Sequence, residues 1–173
     1  MQKNECHPLC KRLTRINTSS FLNTMKKGYT SAYTVTIGDI NYGGHLGNDR
    51  ALVIFQDARL YFLRKLGFSE MDIGAHCGII MVESGVRYLR EVFLHDVLET
   101  SVGLGQVKAK KLTLEYSVVR PADDQTVLRG FTSFLAFDYR LRQVVVLPEL
   151  FRNRLDQFFR DPASCECPPG ATD

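Results

Sequence analysis

The sequence lacks any run of 18 apolar residues, the length that a membrane-spanning helix needs. Its first residues also lack the apolar core of a secretory signal. Positive charge is in only small excess over negative charge, because the net charge is +3. Residues 1–28 hold six basic residues and one acidic residue, a net +5, which leaves −2 for the remainder. General nucleic-acid binding needs a basic body, so we expect neither a membrane nor a nucleic-acid partner.

Cysteine is almost absent from the body of the chain. Cys77 lies there alone, whereas Cys6, Cys10, Cys165 and Cys167 lie near the ends at spacings that match no standard zinc pattern. We therefore predict no metal site, reduced thiols and a cytoplasmic location. The length and the 45% hydrophobic content fit one domain with tails. We place an N-terminal extension at residues 1–28, the domain at 29–160 and a flexible tail at 161–173.

One stretch, Ile37 to Leu66, organises the rest. Its first part, through Gly47, is a glycine-rich loop with side chains that can exchange protons or hydrogen bonds: Asp39, Asn41, Tyr42 and His45. Its second part, Asn48 to Leu66, has no Pro or Gly and predicts a long apolar helix with Asn48 as N-cap. Polar groups at the positive end of a buried helix suit a site that stabilises negative charge on oxygen.

Alternating apolar residues predict the strand before this helix and most of those after it, and a continuous apolar run begins the strand Gly78 to Leu89. The predicted strands are Tyr29 to Ile37, Gly78 to Leu89, Asp96 to Gln106, Lys110 to Arg120 and Thr126 to Tyr139, the last with Val127, Phe131, Leu135 and Phe137 on one side. Pro148 then leads a final helix whose apolar side is Leu150, Phe151, Leu155 and Phe158. Short turns between strands require antiparallel pairing. We predict an α+β fold in which a curved antiparallel sheet wraps one central helix.

The apolar run Ile79 to Val82 begins one of these strands. If it lay at a sheet edge, its unpaired backbone groups would promote aggregation. Pairing with a second subunit would cover it. The sequence therefore predicts self-association.

The loop and helix, GDINYGGHLGNDRALVIFQDAR, resemble hotdog-fold thioesterases of the 4-hydroxybenzoyl-CoA thioesterase type. That family's signature is roughly Asp-x-Asp, three residues, His-Val-Asn-Asn, and then acidic-Ala-Arg within the helix. Six residues fall in register without a gap: Asp39, His45, Asn48, Asp57, Ala58 and Arg59. Two later stretches, RYLREVFLHDVLETSV and LAFDYRLRQVVVLPELFRNRL, also resemble the family, so the similarity covers about Tyr33 to Leu155.

The resemblance implies a hotdog fold, a homodimer or dimer of dimers, and an active site between subunits. It implies hydrolysis of an acyl-CoA or acyl-carrier-protein thioester without metal or cofactor. Asn41 departs from the family, because many members have the catalytic aspartate at this position and asparagine can be neither nucleophile nor base. Plant acyl-carrier-protein thioesterases of the same fold suggest replacements, since they place a catalytic His at the His45 position and a catalytic Glu in a stretch resembling Tyr88 to Glu91.

A thioesterase needs a positioned water, a base and donors for the oxyanion. We expect His45 or Glu91 to activate the water and Asn41 to orient water or carbonyl. Asp39 is either a further catalytic group or a structural cap of the loop. The remaining predicted site residues are the oxyanion donors Gly47, Asn48 and Asp49, and the helix residues Asp57 and Arg59, which would support the site from behind.

Two other functions are compatible with the pattern. Asp39 and His45 could serve an enoyl-thioester hydratase or dehydratase, and Asn41 could mark a dimer that binds acyl thioesters without hydrolysing them. A basic patch for the phosphates of CoA could come from six residues among which the sequence does not choose: Arg87, Arg90, Lys108, Lys110, Lys111 and Arg120.

Overall fold

The computed structural model describes residues 27–161. The four terminal cysteines lie outside these residues, and so do the predicted tails apart from Lys27, Gly28 and Asp161. Six strands form one antiparallel sheet around a central helix. In chain order the elements are β1 (Lys27–Thr34), α1 (Arg50–Lys65), β2 (Gly78–Tyr88), β3 (Val97–Val107), β4 (Lys111–Arg120), β5 (Gln125–Asp138), β6 (Gln143–Val144) and α2 (Glu149–Arg160). The spatial order is β1-β3-β4-β5-β2, with β6 paired to the end of β5. The predicted hotdog architecture is confirmed.

The core lies between α1 and the concave face of the sheet. Alternate residues of β4 point into it, and Leu112, Leu114, Tyr116 and Val118 are all buried as the period of two predicts. From the helix, Phe55 stacks on Tyr116 with ring centroids 4.4 Å apart. This stack packs the first half of α1 against β4.

The predicted buried side of β5 is wrong for most of its length. Of the predicted set Val127, Phe131, Leu135 and Phe137, only Val127 is buried. The other buried residues of β5 are Leu128, Thr132, Ser133, Phe134, Ala136 and Asp138. The cause is a β-bulge, because Val118 pairs with Leu128 whereas Val119 pairs with Thr126, so Val127 is an extra residue. One extra residue moves every later side chain to the opposite face.

Helix α1 is slightly shorter at both ends than the predicted span Asn48 to Leu66. The helix begins at Arg50 with Asp49 as N-cap, so the prediction of Asn48 as N-cap is wrong. Gly67 does end the helix in the left-handed region, with φ of 81°. Ile37, predicted to close β1, is instead exposed in a short 3-10 turn that spans Ile37–Asp39.

The C-terminal helix α2 closes the open end of the core. Its rings pack on those of α1, and the centroids of Phe62 and Phe158 lie 5.5 Å apart. Phe151, Leu155 and Phe158 are buried as predicted, but Leu150 is exposed and Phe159 takes its place.

Strand β2 lies at one edge of the sheet. Its apolar residues Ile80, Met81 and Val82 are 39%, 41% and 49% exposed in the single chain. The edge predicted to need a partner is therefore uncovered here. In the described part of the chain, neither helix is long and apolar enough to cross a membrane.

Candidate active site

The loop before α1 is braced by a buried carboxylate. Asp39 is 5% exposed and accepts hydrogen bonds from the Thr36 backbone N–H (2.8 Å), the Thr36 hydroxyl (2.8 Å) and the Tyr33 hydroxyl (3.0 Å). Burial raises the pKa of Asp39, but the bonds from Thr36 and Tyr33 outweigh it, so this pKa lies below its ordinary value. Burial and the bond to Asp39 raise the pKa of Tyr33 to about 12. The geometry is that of the predicted structural cap.

The tip of the loop is a tight turn that holds His45 close to Asn41. The Asn41 N–H donates to the His45 carbonyl (2.9 Å), and the Gly44 N–H donates to the Asn41 carbonyl (3.0 Å). Gly44 has φ of 80°, a conformation that favours glycine. A side chain at Gly43 would collide with the His45 ring. The glycines that the sequence concentrates here are therefore what lets the ring fold back over the turn.

Hydrogen bonds within the turn determine which polar atoms of His45 and Asn41 remain available. His45 Nδ1 lies 3.2 Å from the Gly43 carbonyl, which can only accept, so Nδ1 carries the proton of the neutral ring. That tautomer leaves Nε2 with a lone pair. The Asn41 side-chain oxygen accepts from the Gly43 N–H (2.8 Å), which leaves its amide N–H₂ as a donor. A base and a donor thus lie side by side.

The loop is fastened to the sheet on its other side. The Leu46 N–H donates to the Val92 carbonyl (2.8 Å), and the Tyr88 hydroxyl donates to the Asn48 carbonyl. The Gly47 N–H donates to the Asp39 carbonyl (2.8 Å), so the prediction of Gly47 as an oxyanion donor is wrong. Among the described residues the backbone N–H groups of Asn48 and Asp49 have no partner, and they remain candidates for that role.

A cavity of about 380 Å³ opens between this loop and the end of β2. It brings together four of the predicted site residues, Asn41, His45, Asn48 and Glu91. Its other walls are Leu46, Tyr88, Leu89, Arg90, Val92 and Leu128. Asp39, Gly47 and Asp49 do not line it. The apolar walls come from β2, β5 and the connection after β2, which sequence spacing alone could not place against the loop.

The two helix residues predicted to support the site lie away from the cavity. Arg59 is 2% exposed; its Nε donates to Glu70 (2.6 Å), its Nη1 donates to the Tyr116 hydroxyl (3.3 Å), and its guanidinium lies 4.7 Å from the Phe134 ring centroid. Arg59 therefore ties α1 to the sheet and to the connector before β2. Asp57 is half-buried, and burial raises its pKa. Within residues 27–161, neither the Arg59 nor the Asp57 side chain forms a hydrogen bond with another predicted site residue.

The candidate phosphate-binding residues do not form one patch. Arg90 lines the cavity, whereas Lys111 pairs with Glu83 (3.1 Å) and Arg120 pairs with Asp96 and Asp123 (2.9 and 2.7 Å). The other three, Arg87, Lys108 and Lys110, are exposed. Within residues 27–161, no three His, Cys, Asp or Glu side chains are grouped so as to hold a metal ion.

The sequence profile of the thioesterase-like superfamily matches residues 35–155, which include the loop, the central helix and the cavity walls. No curated protein matches the sequence.

Solved structures share the fold at low identity. A Staphylococcus aureus protein solved in complex with CoA aligns with a TM-score of 0.70 and 20% identity, over 79% of this chain and 87% of its own. A 1,4-dihydroxy-2-naphthoyl-CoA thioesterase from Synechocystis gives 0.68 and 16%, over 74% and 95%. A gentisyl-coenzyme A thioesterase gives 0.66 and 18%, over 73% and 99%.

Proposed function

The chain belongs to the thioesterase-like superfamily, whose enzymes are thioester hydrolases, and we propose that it hydrolyses an acyl-CoA thioester in the cavity beside His45. The observation that carries the proposal is the meeting of His45, Asn41, Asn48 and Glu91 around one cavity. The loop supplies His45, Asn41 and Asn48, and the β2–β3 connection supplies Glu91. A volume of about 380 Å³ is in the range of small-molecule sites.

In the proposed reaction, water attacks the thioester carbonyl carbon. The base takes one proton from that water, the tetrahedral intermediate carries its charge on the former carbonyl oxygen, and the C–S bond then breaks. The sulfur leaves as the thiol of CoA after protonation, and the acyl group leaves as a carboxylic acid. The backbone N–H of Asn48, which lines the cavity beside the positive end of α1, stabilises the oxyanion, and the Asn41 amide orients the carbonyl or the water.

Two groups compete for the role of base. His45 offers a lone pair on Nε2 that can accept a proton from the attacking water, as a general base requires. Glu91 lines the same cavity, and its side chain has no hydrogen-bond or ion-pair partner among the described residues. Loss of a general base lowers kcat by about 10²–10⁴-fold. His45→Ala and Glu91→Gln therefore separate the two, and Glu99→Gln is a control at an exposed position outside the cavity.

The assay follows thiol release from a panel of acyl-CoAs with a thiol-reactive dye. The panel includes aromatic acyl groups, because two of the similar structures are thioesterases for such substrates, and straight-chain acyl groups as the contrast. Thiol release that His45→Ala or Glu91→Gln abolishes supports the proposal. Loss of enoyl-CoA absorbance without thiol release would assign a hydratase instead.

A second candidate function rests on Asn41. Its amide cannot act as the carboxylate that many members have at this position, so the cavity could bind an acyl thioester without turnover. Saturable binding of acyl-CoA with no thiol release from any substrate would establish this function. It would also reject the hydrolase.

We further propose that two chains pair through β2, which would cover Ile80, Met81 and Val82 and set a second subunit beside the cavity that the end of β2 lines. Light scattering after size exclusion tests this. Val82→Lys is expected to give monomers, whereas Val97→Lys, also at a residue 49% exposed, is expected to leave the mass unchanged. A monomeric wild type contradicts the pairing.

A further inference from the structure

The β2–β3 connection forms one wall of the cavity, and its two ends are held by backbone hydrogen bonds. The Leu89 and Arg90 N–H groups donate to the Val127 carbonyl, and at the other end His95 and Asp96 each bond to the backbone of Val35. Leu89, Arg90, Glu91 and Val92 all line the cavity, and their only bonds to the active-site loop run through the Val92 carbonyl. The next residue, Phe93, donates its N–H to the Asp96 carboxylate (2.9 Å). The position of Glu91 therefore depends on what restrains this connection from its far side.

Arg120 provides that restraint from the end of β4. Its Nη1 donates both to the Glu91 carbonyl (3.1 Å) and to Asp96 Oδ2 (2.9 Å), the same oxygen that accepts from the Phe93 N–H. Its Nε and Nη2 donate to the two oxygens of Asp123 (3.0 and 2.7 Å). The Arg120 side chain is only 16% exposed. Four donated bonds hold the guanidinium in one orientation, as the planar fork of arginine allows.

Arg120 does not line the cavity, so it is not placed to touch a substrate there. Its cationic charge is already matched by Asp96 and Asp123, which also removes it from the candidate phosphate ligands. The bond to the Glu91 carbonyl adds nothing to that charge balance. What it does add is a fixed main-chain position for Glu91, the one carboxylate residue among those that line the cavity with His45.

We propose that Arg120 is a positioning residue that acts on catalysis through Glu91, by holding the main chain of the β2–β3 connection against the cavity. This inference rests on the proposed hydrolysis and on Glu91 taking part in it. Asp96 shares the task, because it joins Arg120 to the Phe93 N–H. Asp123 orients Arg120 from the solvent side.

A double-mutant cycle tests the proposal. Arg120→Ala is expected to lower kcat by about 10–100-fold with little change in KM, since a displacement of about 1 Å at a reacting group costs on that order. Combined with Glu91→Gln, it is expected to cause no further loss. Arg120→Lys, which keeps the charge but not the fork, is expected to restore little activity. Asp123→Asn leaves the Glu91 and Asp96 contacts in place and should retain most of the activity.

Three results would overturn the proposal: an unchanged kcat in Arg120→Ala, an equal loss in the wild-type and Glu91→Gln backgrounds, or an unchanged kcat in Glu91→Gln itself. Amide hydrogen exchange is read in parallel and needs no turnover. Arg120→Ala should lose protection at the Phe93 and Asp96 amides while β4 and β5 keep theirs, and unchanged protection at those amides rejects the clamp. Failure of the proposed function shows separately, as absence of thiol release by the wild type.

Discussion

Asp39→Asn separates the structural role of this residue from a catalytic one. The carboxylate accepts three hydrogen bonds at 5% exposure. An asparagine has one oxygen, and the Thr36 N–H can only donate, so the amide oxygen must face Thr36 and the N–H₂ group must face the Tyr33 hydroxyl. The substitution thus removes the charge from two bonds and reverses the third. Hydrogen bonds to charged groups contribute about 1.5–3 kcal/mol each, so we expect a loss of about 2–3 kcal/mol at pH 7.

The pH dependence of that loss has a definite sign. The pKa of Asp39 is lowered in the folded protein, so its contribution to stability is present above the ordinary carboxyl pKa of about 3.9 and is lost as pH falls through the lower folded value. The difference between wild type and Asp39→Asn should be constant between about pH 5 and pH 7 and shrink below about pH 4. Asp57→Asn is the matched control. Burial raises the pKa of Asp57, so removing its charge at pH 7 should be neutral or slightly stabilising.

The assay is urea unfolding of the three proteins across this pH range, with thiol release measured on the same samples. A loss of about 2–3 kcal/mol corresponds to about 4–12 °C in Tm for a chain of this size. kcat at temperatures where the variant is folded should stay within a few-fold of wild type. A loss of stability that does not change with pH would refute the assignment of Asp39 as an ionised brace. A drop in kcat of about 10²-fold or more at unchanged stability would make it a catalytic group.

Two further substitutions test the core that holds the site. Gly130→Ala should cost about 1–3 kcal/mol or more, because a Cβ there collides with the Phe55 ring and the Gly85 carbonyl. Gly38→Ala should be tolerated, because a Cβ there meets only the Thr36 hydroxyl, at an ordinary contact distance of 3.8 Å. Thermal unfolding measures both. Glu70→Ala should cost about 2–3 kcal/mol in urea unfolding, because it leaves the buried Arg59 charge without its partner. The loss is somewhat below the usual one for such a change, because the Glu70 side chain is 24% exposed. A cost below about 0.5 kcal/mol would contradict the structural role given to Arg59.

Local periodicity was enough to predict the strands and the central helix. The buried residues of β4 follow from alternation alone, because buried and partly exposed side chains alternate without a break from Lys111 to Val118. In β5 the same reasoning failed after Val127, because a bulge depends on the register with β4 and leaves no mark in one strand's own sequence. Arg59 gave no sign of burial either, since its partners Glu70 and Tyr116 lie 11 and 57 residues away in the chain.

The site was predictable in part for the same reason. The turn that joins Asn41 to His45 is local, and its glycines are visible in the sequence. Glu91 came from family resemblance, and the structure places it in the lining of the same cavity as His45. The use of the Gly47 N–H by Asp39 could not be foreseen, because it depends on the backbone conformation of the loop and not on which side chains it carries. The walls supplied by Tyr88 and Leu128 come from cross-strand pairing of β2 with β5.

The extra residue in β5 constrains how the gene for such a protein can change in length. The Val127 carbonyl accepts from both the Leu89 and the Arg90 N–H, at 2.9 and 3.3 Å, at the point where β2 leaves the sheet. Insertions or deletions in the turn at residues 121–124 would leave Glu91 and His45 in their relative positions, provided that Asp123 still bonds to Arg120. Deletion of the codon for Val127 would remove the carbonyl that holds Leu89 and Arg90, and would therefore displace the β2–β3 connection. A lineage with this deletion would need compensating substitutions in that wall of the cavity.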